Sequence, residues 1–256
     1  MLALYRHAAV LAARRATAGW PAALSLVGYA FIVGLAAMVA SSLQIVGAIL
    51  MGLVVAACWS SYLELISQVV AAGKIRLSWP QLKGTFAVRF WDVISVMFAF
   101  WILSFLTRPL TSGPNGPALS AILGLAMAVF FNVVPELLYQ GRSRSFSLLM
   151  DSARFVFGHP ILWLLPNVVF AGIALYASGR LQAVHQLAEL LIAFGNTFSS
   201  PAGVAQIFTG IPLWGLPIAL FALHYVMVFR GILFHEVVSG TGGNARLRAF
   251  QAAMRR

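Results

Sequence analysis

Three carboxylates recur in one sequence context. Glu64 lies in LELISQ, Glu136 in PELLYQ and Glu236 in HEVVSG, each near the end of a long apolar run. In a chain with only six acidic residues, three carboxylates converging on a vestibule would collect cations or protons. The competing chemistry is plainer. A carboxylate near a membrane surface pairs with a neighbouring cation, and charge in a span marks function by default only when it lies deep in the bilayer. Each carboxylate is followed by a short polar link and a basic segment, GKIRLSWPQLKG, GRSRSFSLLMDSARF and GGNARLRAFQAAMRR, which favours pairing with a cation close by in sequence. Asp92 has Arg89 three residues before it and is expected to pair on one helix face. Arg230 is expected to snorkel toward water past an apolar stem.

Asn132, Asn167 and His224 are the deeper polar residues, in the fourth, fifth and sixth apolar blocks. They either tie helices together by hydrogen bonds or line a substrate path. His224 and His235 fall roughly on one helix face, but two ligands without a third make no metal site. SGTGGN, at 239–244, lacks the preceding strand and the following Lys-Ser/Thr of a phosphate-cradling loop. HExxH, GxSxG and paired CxxC are absent, so neither an enzyme nor a cofactor is expected.

The elements that must position these residues are set by composition. The chain is 61% hydrophobic and 9% charged, with mean hydropathy +0.90, outside the range of a water-soluble domain. Six apolar blocks, at 20–40, 44–65, 90–107, 118–138, 160–177 and 210–235, approach the roughly 20 residues that a spanning helix needs. The expected fold is all-α, a single integral membrane domain over 1–256 with six transmembrane helices arranged as three hairpins. The first block reads as a retained helix, since Met38 occupies a position where signal cleavage wants a small residue. The lone Cys58 falls inside a span and allows no intramolecular disulfide.

Cations accumulate on the cytoplasmic side of membrane proteins. Of seventeen Lys and Arg, only Arg108 and Arg180 fall on the side opposite the rest, which predicts both termini in the cytoplasm and a multi-pass protein of the inner membrane. A net charge of +11 then suits anionic lipid head groups. Nucleic acid is a poor partner for cations spread over separate loops without a binding motif.

The recurring carboxylates predict hairpin repeats over 1–68, 69–140 and 141–256, each led by a basic cytoplasmic segment. After PELLYQ, the residues Phe146, Leu149, Met150, Ala153 and Phe157 share one helical face, with Ser147, Asp151 and Arg154 on the other. That pattern predicts an interfacial amphipathic helix. With Arg142 and Arg144, Asp151 and Arg154 form a candidate cytoplasmic docking surface. RLQAVHQLAELLIAF, with Gln182, Gln186 and Glu189 in a polar stripe, predicts a second surface helix on the outer side. GIPLWGLP, at 210–217, predicts an irregular start to the sixth span.

Residues 134–165, VPELLYQGRSRSFSLLMDSARFVFGHPILWLL, combine a proline-bearing span end, a glycine, a basic amphipathic helix and a further span. The pattern resembles polytopic bacterial membrane proteins similar to the membrane domain attached to some glycerophosphoryl diester phosphodiesterases. Those usually carry an acidic residue directly before the glycine, where this chain has Gln140. The resemblance implies a helical membrane module and carries over no catalytic residue. The expected function is a non-enzymatic membrane subunit of a bacterial transport or envelope complex, docking lipids or other subunits. The alternatives are a self-sufficient transporter of a small or lipid-like molecule and, behind it, an intramembrane enzyme.

Overall fold

The computed structural model describes residues 1–73, 75, 78–113, 115–140, 146–177 and 216–238. Every described element is helical: α1 (Leu2–Ala18), α2 (Trp20–Ala40), α3 (Gln44–Ala72), α4 (Trp79–Val88), α5 (Phe90–Thr111), α6 (Gly116–Phe130), α7 (Val134–Tyr139), α8 (Phe146–Gly158), α9 (Pro160–Ala177) and α10 (Leu216–Val238). Among the described residues, five stretches are long and apolar enough to cross a membrane: α2, α3, Phe90–Pro109, Ala118–Tyr139 and Pro217–Val238. A sixth is reached only if α8 and α9, bent by 95° at their junction, are taken together.

A short helix followed by long helices recurs along the chain, and in each case a single residue separates the short helix from the long one. Those elbows are Gly19, Arg89 and His159. Their carbonyls accept the first bonds of the next helix, from Ala22 at 2.9 Å, Val93 at 2.9 Å and Trp163 at 3.0 Å. Proline sits in the first turn of α2, α4 and α6, where its missing N–H forfeits no intrahelical bond. The longest helix, α3, ends at Gly73, which takes the left-handed conformation (φ 71°) and returns its N–H to Val69 O at 2.9 Å. Glycine adopts that conformation without steric cost.

The α3 helix is the central post, with α1, α2, α4, α5, α7 and α10 packed around it. Its side chains from Ser60 to Val70 supply much of the core. The outer surface is apolar instead: Phe31, Trp101, Ile122 and Val168 are each more than 60% exposed. Buried hydroxyls with an apolar exterior suit a lipid solvent rather than water.

The short helices pack by narrow stripes. On α1 the fully buried residues are Ala8, Ala12 and Ala16, and on α4 the buried residue is Thr85. On α8, Leu148, Ser152 and Val156 face inward while Met150 and Phe157 are exposed. The apolar face expected for α8 is therefore not its packed face, because Ser152 reaches inward to donate to Phe130 O at 2.6 Å. The expected outer helix around Gln182, Gln186 and Glu189, most of the irregular start of the sixth span, and the glycine-rich link lie outside the described residues, as do Arg142 and Arg144.

Pro166 lies inside α9, and its missing N–H frees the carbonyl four residues back, that of Leu162. Tyr5 of α1 donates its hydroxyl to that carbonyl at 3.0 Å, and burial raises the phenol's pKa above its ordinary value, which keeps it a donor. Tyr5→Phe should cost about 1 kcal/mol or more. In a Pro166→Ala background, where the restored backbone N–H can take Leu162 O, the same change should cost much less. A double-mutant cycle on thermal unfolding in detergent measures this coupling, and additivity would refute it.

Candidate functional site

Six-residue α7 is the junction of two ion pairs. It starts after a three-residue turn, 131–133, that interrupts the fourth span. Pro135 lies in its first turn and has no N–H to offer the end of α6, so the helix is interrupted there, with Val134 N–H on Phe131 O at 3.1 Å. The neighbouring Asn132 carbonyl accepts from the Arg230 guanidinium of α10. Arg230 also grips Glu136 with two bonds, Nε to Oε1 at 2.8 Å and Nη2 to Oε2 at 2.9 Å. Glu136 is fully buried and the Arg230 side chain is 13% exposed. The guanidinium lies over the buried Trp163 ring, 5.2 Å from its centroid, and Trp163 packs edge-on against Phe155 and Phe234. This bidentate geometry needs a planar fork, which lysine lacks.

The other pair meets the far end of α7. Arg89, at the α4–α5 elbow, donates Nε to Glu64 Oε2 at 3.0 Å and a second N–H to Leu138 O. Ser67 donates to Tyr139 O at 3.1 Å, and Gln140 donates to Gly231 O at 3.2 Å. Gln68 donates to Glu64 Oε1 at 3.3 Å and accepts from Gln81 at 2.9 Å. Gly231 is required for close approach, since a Cβ there would collide with the Tyr139 hydroxyl oxygen and lie 2.7 Å from Val70 Cγ2.

A second polar line ties α2, α3 and α4. Thr85 donates to Leu82 O at 2.7 Å, so it accepts from Ser61 at 2.6 Å, which in turn accepts from Tyr29 at 2.6 Å. The chain ends on a backbone carbonyl. It holds α4 against the α2–α3 hairpin.

The three glutamates weighed as a vestibule cluster have different partners. Glu64 takes Arg89 and Glu136 takes Arg230, while Glu236 has His7 Nε2 at 4.0 Å. Arg89 turns to Glu64 because its elbow backbone (φ −121°, ψ 12°) takes it off the α5 face shared with Asp92. Arg230 turns inward to a buried carboxylate instead of snorkelling. For Glu136 the partner is not close in sequence.

Asn132 contributes its carbonyl to the Arg230 site, and Asn167 donates its amide to Trp163 O in its own helix at 2.7 Å. His224 is fully buried on α10, with both ring nitrogens lacking a partner. His235 is exposed, so the two histidines share no site. Asp151 and Arg154 pair at 3.7 Å on α8. Sequence reasoning did not foresee Tyr5, Trp163, Tyr139 and Gly231. The available signal was Arg230, a cation inside one apolar run, facing a glutamate inside another.

Comparison of the chain with protein-family models, curated proteins and solved structures gave no match.

Removing one member of a buried ion pair leaves the other unpaired. Arg230→Met or Glu136→Gln should therefore cost about 3–5 kcal/mol. The double variant should recover only part, because Asn132 O loses its donor as well. Unfolding in mixed micelles checks this, and full recovery in the double variant would show that the carbonyl contact adds nothing.

Proposed function

We propose that the chain is a non-enzymatic subunit of a bacterial inner-membrane complex, crossing the membrane six times as three hairpins with both termini in the cytoplasm, α9 alone making the fifth crossing while α8 stays at the surface. The hairpin repeats would be related by duplication, each led by a basic segment. Its role is to dock partner subunits and lipids within a transport or envelope assembly. One observation carries this reading. The interior cations Arg89 and Arg230 are committed to carboxylates and helix ends, whereas Arg6, Arg14, Lys83 and Arg154 on the short helices are turned outward. Charge directed away from the bundle serves association, and charge locked within it serves the fold.

A self-sufficient carrier is the second reading, favoured by His224. A fully buried imidazole with two unpartnered nitrogens is costly unless something else meets it. In a carrier, His224→Leu or Asn132→Leu would abolish uptake or efflux, whereas a docking subunit would still assemble.

Native mass spectrometry of tagged protein, extracted from its own membrane in mild detergent, separates the two. Foreign subunits should co-purify and be lost on charge reversal at Arg144 and Arg154. A lone monomer or homo-oligomer would reverse the conclusion. Reporter fusions at either terminus should be active only in the cytoplasm, and an outward C-terminus would break the three-hairpin topology.

A further inference from the structure

On α1, Leu2, Arg6, Val10 and Arg14 form a single i,i+4 row, and all four are exposed. The row alternates aliphatic and guanidinium groups. The opposite row, Ala8, Ala12 and Ala16, is fully buried, so the helix cannot roll to hide either component. On α4 the same spacing places Trp79 and Lys83 together, with the ammonium over the indole ring at 5.3 Å from its centroid. Trp79 is 67% exposed. Neither helix contains a carboxylate.

We propose that these two rows bind anionic phospholipid, with phosphates on Arg6, Arg14 and Lys83, while Leu2, Val10 and Trp79 enter the apolar layer beneath. Charge complementarity selects an anion. The aliphatic and indole groups interleaved with the cations select an anion attached to acyl chains over a free one, since each cation has an apolar neighbour one turn away. An indole under an ammonium suits the depth where head group meets hydrocarbon. The proposal rests on the reading that the short helices lie at the cytoplasmic membrane surface, and it gives the lipid contact of that reading a location.

The test uses the full-length protein in nanodiscs of equal phosphatidylglycerol and phosphatidylcholine, with the lipids retained after gentle release counted by native mass spectrometry. Phosphatidylglycerol should be enriched. The enrichment should fall about threefold or more in Arg6→Gln/Arg14→Gln, and again when Lys83→Gln is added. Leu2→Ser/Val10→Ser should lower total retention while leaving the phosphatidylglycerol preference. Unchanged melting temperatures confirm that these surface variants fold. Equal retention of the two lipids in every variant would overturn the proposal. So would displacement of phosphatidylglycerol by inorganic phosphate with no effect of Leu2→Ser/Val10→Ser, which identifies a phosphate site without lipid selectivity. Enriched phosphatidylglycerol without foreign subunits would retire the docking function and leave this site standing. Foreign subunits without enrichment would do the reverse.

Discussion

A backbone carbonyl released inside an apolar solvent must find a donor, and this structure is organised around that requirement. Long helices end, bend or meet proline, and each such place strands an acceptor. The donors come from elsewhere in the chain: Arg15 to Val70 O, Arg89 to Leu138 O, Ser67 to Tyr139 O, Arg230 to Asn132 O, Tyr5 to Leu162 O and Ser152 to Phe130 O. Three of the six are arginines, and a cation at the carboxyl end of a helix also meets the negative end of its dipole. These long-range bonds join helices from α1 to α10 at named points. Apolar packing in lipid specifies such points only weakly, because side chains gain little by leaving acyl chains for one another.

The short helices carry two apolar surfaces with different purposes. The packed one is narrow and built from small residues, as in Ala8, Ala12 and Ala16 on α1. The outward one is large and interspersed with cations, as in Met150 and Phe157 beside Arg154 on α8. A helical periodicity count merges the two, since it registers where apolar residues lie and not what solvent they meet. Hence α8 was legible as a helix, while its buried stripe, which includes Ser152, was not.

Several helix starts, those at Trp20, Gln44 and Phe90 among them, could be read from the chain because length and hydropathy are local quantities. The second span begins at Gln44 as expected and runs past the expected end to Ala72, since Ser67 and Gln68 are polar by composition but sit among helix neighbours that bond them. The break at 131–133 was hidden in a continuous apolar run, with Pro135 its sole local sign. Pairing was the least legible feature. Glu136 and Arg230 are 94 residues apart, and nothing in the neighbourhood of either indicates that α7 and α10 meet there. Local reasoning assigned the nearest cation to each carboxylate, which holds in part for Glu64, whose partner closes the next short helix, and fails for Glu136.

That difference between two nearly identical motifs has a physical account. Glu64 is met by Arg89, the residue at the elbow following α4. The corresponding elbow after PELLYQ is His159, whose imidazole packs on Phe155 with ring centroids 5.1 Å apart. The cation is supplied instead from α10, six residues before Glu236. From that position Arg230 reaches both Glu136 and the Asn132 carbonyl stranded by the break in the fourth span. One arginine thus answers both demands, and it makes the last helix a structural requirement of the fourth span.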